Sequence, residues 1–238
     1  TRKPMWTGAK RATNGPYILR ARELSKQLGV YLIFGFLEIK RGDLLNSCVF
    51  IDPGGDVIAH YSKVHPTNEL AITPGRKLAP FDTPLGRAGF LICNDASVPE
   101  NFSALASQQV EIIFIPNNGV AHPATMRMLC QRARDACCWI VLANTCSCAV
   151  ISARGEFYLE KYESECVSVQ RLDLFDSPRK DKPGLYAPAF MGRRPDLYTS
   201  LIRVTEKEAL FDKRGQATVL EKRRRIQWLR KLRDFMRK

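Results

Sequence analysis

Apolar positions along the chain switch between two periods. Ile18, Leu19, Ala21, Leu24 and Leu28 recur at helical spacing and predict a helix over 16–28, closed by Gly29. Residues 30–36 are continuously apolar and predict a strand buried on both faces. Residues 44–51 and 57–64 predict a hairpin around Asp52-Pro53-Gly54-Gly55-Asp56, where proline presets φ and glycine tolerates positive φ. Residues 65–84 form a long irregular connection, of a length that in a compact domain usually serves function. The run 88–92 predicts a buried strand, followed by a helix that starts at Pro99, with Ser97 as its cap, and reaches about Gln109. A strand over 112–115 ends in Pro116-Asn117-Asn118-Gly119, and a helix over 125–138 follows, with Met126, Leu129, Ala133 and Ala136 on one face. Strands at 140–144 and 148–151, a turn at 153–155 and a last core strand at 166–172 complete the pattern. Residues 173–198 are rich in proline and charge, and 220–238 read as an amphipathic helix with Ile226, Leu229, Leu232 and Met236 in one stripe. No internal repeat is visible. Strands alternating with helices, together with an antiparallel hairpin, predict a layered α+β fold with mixed sheets.

Composition narrows this picture. The chain has 238 residues, 45% of them hydrophobic, enough for one large domain or two small ones. No run approaches the roughly 20 apolar residues of a membrane span, and the N-terminal residues lack the apolar stretch of a secretory signal. Eight cysteines occur with no Cys-x-x-Cys spacing, which argues against a zinc site and for reduced thiols in a cytoplasmic setting. Net charge is +13, and 221–238 supply +7 of it, nine Lys or Arg against two acids. That basic tail is open to three readings: contact with anionic surfaces, docking on a second subunit, or fraying. Its aromatic content, Trp228 and Phe235, gives no support for specific nucleic-acid binding.

The candidate chemistry centres on Cys93. It stands at the end of an apolar run and on the turn toward a helix, where free backbone N–H groups can hold developing negative charge. The alternative is a small buried residue of no chemical role. Lys63 repeats the geometry at the end of another strand, where a solvated charge is the plain alternative. Glu69 follows six residues later.

In order along the chain, Gly35-Phe36-Leu37-Glu38, Leu45-Asn46-Ser47, Ile51-Asp52-Pro53-Gly54, Tyr61-Ser62-Lys63-Val64-His65, Phe81-Asp82-Thr83-Pro84-Leu85-Gly86, Ile92-Cys93-Asn94-Asp95 with Pro99-Glu100, and Arg194-Pro195-Asp196-Leu197-Tyr198 resemble the motifs of the nitrilase superfamily, the carbon–nitrogen hydrolases. The resemblance runs from about residue 15 to residue 198. It implies a four-layer αββα sandwich over 1–200, with 201–238 as a C-terminal extension. It also implies hydrolysis of a linear amide or N-carbamoyl compound through a cysteine thioester, with no cofactor and no metal. Cys93 would be the nucleophile, Lys63 the oxyanion stabiliser, and Glu69 the group that places substrate or water. Asn94, Asn117 and Asn118 would contact substrate, although a plain turn explains the last two equally. The resemblance further implies a homo-oligomer. One departure matters: the family's general base lies in a Phe-Pro-Glu motif upstream, and no Phe-Pro-Glu occurs in this sequence. Glu38 matches a different position. The expectation is therefore an N-terminally incomplete hydrolase domain or, as the alternative, a catalytically incompetent relative that acts in binding or assembly. Asp95 with Pro-Glu after it resembles the amidase and carbamoylase branches, and Lys63 with Pro66-Thr67 leans toward nitrilases.

Overall fold

The computed structural model describes residues 15–66, 69, 71–84, 86–119, 122–163, 167–173 and 194–197. The chain divides into two units, 1–191 and 192–238. In the second, the described residues form a short 3-10 turn at Pro195–Leu197. The basic helix expected at 220–238 lies outside the described residues.

The first unit is built on two sheets. Helix α1 (Pro16–Leu28) ends on Gly29 in the left-handed region, as its sequence predicts. Strands β1 (Leu32–Lys40), β2 (Asp43–Ile51) and β3 (Val57–Ser62) form an antiparallel sheet in the order β1-β2-β3. The second sheet runs in chain order through β4 (Phe81–Thr83), β5 (Gly86–Phe90), β6 (Ile112–Pro116), β7 (Trp139–Asn144), β8 (Ser147–Ile151) and β9 (Phe157–Lys161). Pairs β5–β6 and β6–β7 are parallel, and the other pairs are antiparallel. The parallel crossovers carry helices α2 (Pro99–Ser107) and α3 (Pro123–Ala136), as parallel pairing requires.

Alternation along the strands makes the layers. On β2, Val49 and Ile51 pack with Ile18 and Ala21 of α1, while Cys48 and Phe50 turn toward the other sheet. On the second sheet, Leu91, Ile113, Ile115, Ile140 and Leu142 meet Leu105, Met126 and Leu129 of α2 and α3. Phe90 and Ile92 face inward and join Cys48, Phe50 and Tyr61. The order is helix, sheet, sheet, helix: the αββα sandwich. Phe50 anchors the seam, with Tyr31, Phe81, Phe90 and Phe114 around it at centroid separations of 5.3–6.4 Å.

Several expectations need correction. β1 is only partly buried along most of its length, not buried on both faces. Among the described residues it pairs with β2 alone, so it is the edge of its sheet. Residues 167–173 form no strand; instead β9, with its mostly exposed side chains, pairs with β8. Ser97 does not cap α2. It ends a 3-10 turn (Cys93–Ser97), and Val98 takes the cap position without a side-chain bond.

A structural repeat also exists where the sequence shows none. Each sheet has a hairpin with a bulge, after Phe50 and after Val150. Each turn has a glycine at positive φ, Gly55 at 84° and Gly155 at 77°. Each glycine sits against a helix carbonyl, where a Cβ would lie 2.9 Å from Arg22 O or 2.5 Å from Cys130 O. An arginine from each helix reaches a turn carbonyl: Arg22 Nε donates to Gly55 O at 2.6 Å and Arg134 Nε to Arg154 O at 3.2 Å. The shared features are backbone geometry, carried by different side chains, so sequence comparison of the two halves misses them.

Phe50→Ala empties the centre of the seam. It should lower unfolding free energy by about 3–5 kcal/mol, read as a lower denaturation midpoint with an unchanged slope.

Candidate active site

The turn after β5 carries the candidate thiol. Cys93 is half-buried, with φ at 49°. An L-residue in the left-handed region costs about 1–2 kcal/mol, and such strain persists where surrounding structure overdetermines it. The overdetermining group is Asp95, whose side chain is fully buried. Its Oδ2 accepts from the Ile92 N–H at 2.9 Å, closing the turn around Cys93. The same oxygen accepts from the Tyr61 hydroxyl at 2.8 Å, and Oδ1 accepts from the His65 N–H at 2.8 Å. Asp95 thus ties the thiol turn to the end of β3. Asn94 Nδ2 adds a donation to His65 O at 3.3 Å, and Asn101 Nδ2 donates to Asp95 O at 2.8 Å while lying 3.2 Å from His65 Nδ1. Burial, then the charge of Asp95 and the bond to it, push the Tyr61 hydroxyl far above the ordinary tyrosine range. Tyr61 therefore remains a neutral donor.

Lys63 lies between the two β3-end residues that Asp95 binds. It is 1% exposed, and its Nζ donates to Glu69 Oε1 at 2.6 Å. Its main chain is held on both sides: Lys63 N–H donates to Asn46 O at 2.8 Å, and Gly75 N–H donates to Lys63 O at 2.7 Å. A Cβ at Gly75 would collide with the Ser62 carbonyl, so only glycine permits this approach. Val64 and Cys93 pack on the same cluster of Cys48, Phe50, Tyr61, Phe90 and Ile92. The other carboxylate oxygen, Glu69 Oε2, is buried and has no hydrogen-bond partner among the described residues. An unpaired buried acceptor costs about 1–3 kcal/mol, which a donor from a bound molecule would recover.

The sequence-predicted asparagines are distributed unevenly. Asn94 belongs to the thiol turn and bonds the β3 end. Asn117 and Asn118 follow β6, and Asn118 Oδ1 accepts from Thr145 Oγ1 at 2.8 Å. Because β5, β6 and β7 are parallel, Cys93, Asn117 and Thr145 stand at the same carboxyl edge of the sheet, where open α/β sheets carry their sites. Among the described residues, no hydrogen bond joins Asn117 or Asn118 to Cys93, Lys63 or Glu69. Sequence reasoning passed over Asp95, Tyr61, His65 and Asn101 as functional supports. The alternation Tyr61-x-Lys63-x-His65 was the available signal, since an extended chain turns all three to the same face.

Glu38 is not at this centre. Buried on β1, its Oε2 accepts from Ser47 Oγ at 2.7 Å and pairs with His60 Nε2 at 2.7 Å. Burial alone raises the Glu38 carboxyl, but the bonds from His60 and Ser47 and the nearby charge outweigh it, leaving it below its ordinary 4.5. Among the described residues, no group of three or more His, Cys, Asp or Glu could hold a metal ion, and no helix is long and apolar enough to cross a membrane.

The family model for carbon-nitrogen hydrolase matches residues 3–175. The chain belongs to the carbon–nitrogen hydrolase family. This hydrolase is 28% identical over 220 residues to the deaminated glutathione amidase of Mus musculus, a match covering 79% of the chain and 67% of that protein. Its fold is that of a carbon-nitrogen hydrolase from Helicobacter pylori G27, with a TM-score of 0.68 at 21% identity over 76% of this chain and 74% of the other. A mutant of the amidase from Nesterenkonia sp. AN1, solved with the acetamide moiety of fluoroacetamide added covalently at its active site cysteine, superposes with a TM-score of 0.65 at 19% identity, over 77% and 72% of the two chains. Membership of a hydrolase family, with an amidase as relative, favours an enzyme over a non-catalytic assembly subunit.

Asp95→Ala leaves three donors facing an empty interior, and should cost about 3–5 kcal/mol of stability. The lowered Glu38 carboxyl gives a separate acid signature. Its contribution is fully present above the ordinary value of 4.5 and is lost as pH falls through the lower native value. In Glu38→Gln that part of the acid slope should vanish from a stability-versus-pH series.

Proposed function

We propose that this hydrolase cleaves a linear amide or N-carbamoyl compound through a thioester on Cys93. The observation that carries the reading is the tie made by Asp95, which joins the strained thiol turn to the strand end that carries buried Lys63, itself paired with half-buried Glu69. The sulfur attacks the substrate carbonyl carbon, and the carbonyl oxygen becomes an oxyanion. Lys63 Nζ and the Asn94 N–H stabilise that charge, each needed most in the transition state. The C–N bond then breaks, the thiol proton leaves with the amine, and a thioester remains. Water attacks the thioester, releasing the acid and restoring the thiol. Glu69 Oε2 accepts from the substrate N–H or from the attacking water, while Oε1 holds Lys63 in place. Asn117 and Asn118 line the approach from the carboxyl edge of the sheet.

The proton traffic limits the rate. In the family the Phe-Pro-Glu carboxylate moves the thiol proton, and general acid–base assistance of this kind is worth about 10²–10⁴-fold. The named substrate class draws on the amidase relative and on the acetamide adduct of the Nesterenkonia enzyme. A homo-oligomer in the cytoplasm fits the family resemblance. The basic C-terminal segment then serves as a subunit contact.

Fluoroacetamide labelling followed by peptide mapping tests the assignment. Modification should concentrate at Cys93, vanish in Cys93→Ala, and slow by about 10²–10³-fold in Lys63→Met. Equal modification of several cysteines would remove Cys93 from its role.

A further inference from the structure

A second concave site opens on the first sheet. A cleft of about 420 Å³ is walled on one side by the β1–β2 turn, with Lys40 and Arg41, and on the other by residues 73–77, with Arg76 and Lys77. Its floor includes His60 and Ser62 of β3. Neither Cys93, Lys63 nor Glu69 lines it.

Three observations make this a built site. First, its charge is one-sided. Four cationic side chains face one carboxylate, Asp43, which already accepts from Thr73 Oγ1 at 3.1 Å. Among the described residues none of the four cations forms an ion pair; Lys40 feels the charge of Glu38 beneath the floor, and the other three gain a counter-charge when an anion binds. Second, the walls and floor are fixed by buried or backbone bonds. Thr73 N–H donates to Leu44 O at 2.7 Å, and Gly75 N–H to Lys63 O at 2.7 Å. Beneath, His60, Glu38, Ser47 and Ser62 form a continuous chain, its links 2.7, 2.7 and 2.9 Å. Third, the turn that presents Arg41 breaks a local rule. Lys40 pairs with Asp43, so Arg41 and Gly42 are the two loop residues, at φ 53° and 87°. A two-residue turn with both φ positive prefers asparagine or aspartate at the first position. An arginine held there accepts strain to put its guanidinium on the cleft wall, and departures of this kind cluster at functional sites.

We propose that this cleft binds a phosphorylated small molecule. Cations converging from opposite walls suit a tetrahedral dianion, whose terminal oxygens point in several directions, better than a planar carboxylate. The two guanidinium forks supply paired donors and the two ammonium groups supply point charge. The volume lies in the range of small-ligand sites, so the phosphate comes with an organic body, which rests on Leu45 and Pro74.

Calorimetric titration of the whole chain with inorganic pyrophosphate, and separately with citrate, at near-physiological ionic strength tests this. Pyrophosphate should bind saturably and at least about tenfold more tightly than citrate. The double substitution Arg41→Ala with Arg76→Ala should weaken it at least about tenfold, and Lys77→Ala alone should weaken it to a lesser degree. Lys26→Ala, an exposed lysine on α1, and Cys93→Ala should leave it unchanged. Absence of binding, equal affinity for citrate, or an equal loss in Lys26→Ala would overturn the assignment. Because Cys93→Ala retains the cleft, failure here is separable from failure of the hydrolase chemistry.

Discussion

One buried carboxylate governs the relation between the two sheets near the candidate centre. Asp95 is placed in an apolar interior, where an ionised group survives only with its lone pairs filled. It finds donors on both sides of the seam: the Ile92 N–H from its own turn, and the Tyr61 hydroxyl and His65 N–H from the end of β3. Because those partners belong to different sheets, the carboxylate can be satisfied only when the sheets are seated in one register. Apolar packing around Phe50 supplies most of the attraction between the layers, but such packing tolerates sliding. The directional bonds do not.

The local costs at the centre follow from that constraint. A left-handed cysteine, a lysine withdrawn from water and a carboxylate oxygen with no partner among the described residues are each unfavourable alone. They persist because the surrounding elements are rigid. Parallel β5, β6 and β7 are backed by α2 and α3 on one face and by the aromatic cluster on the other. A small domain has only a few kcal/mol to spare, so strain at this one turn is a sizeable share of it. Under the mechanism proposed above, in which the thiol, the ammonium and the carboxylate act together, that expenditure is preorganisation.

Much of this was legible from residues alone. Helix α1 ends where Gly29 said it would, and the ordered motifs from Gly35-Phe36-x-Glu38 to Ile92-Cys93-x-Asp95 led to the correct family and layers. What escaped had physical reasons. β9 has mostly exposed side chains, so its sequence lacks the apolar run that marks a core strand, and its identity comes from pairing with β8. β1 looks like a central strand because residues 30–36 are continuously apolar, but burial is decided by neighbours rather than by composition. Ser97 is a good cap in isolation, yet the turn it terminates is dictated by Asp95. The cationic cleft is the clearest case. Lys40 and Arg41 lie more than thirty positions from Arg76 and Lys77 in the sequence, and only the return of the 73–77 segment alongside β2 and β3 brings them face to face.

Gly75 joins the two concave regions mechanically. It lies against the Ser62 carbonyl with no room for a side chain, and its N–H grips the carbonyl of Lys63, while the next two residues reach into the cationic cleft. Backbone rests directly on backbone there, with no compliant side chain between them to absorb displacement. A shift of the 73–77 segment on occupancy of the cleft would be passed to the peptide that carries the ammonium. The bare glycine thus puts backbone on backbone between the cleft proposed to bind phosphate and the peptide of the lysine proposed to hold the oxyanion, and on those two proposals it would give one a short lever on the other.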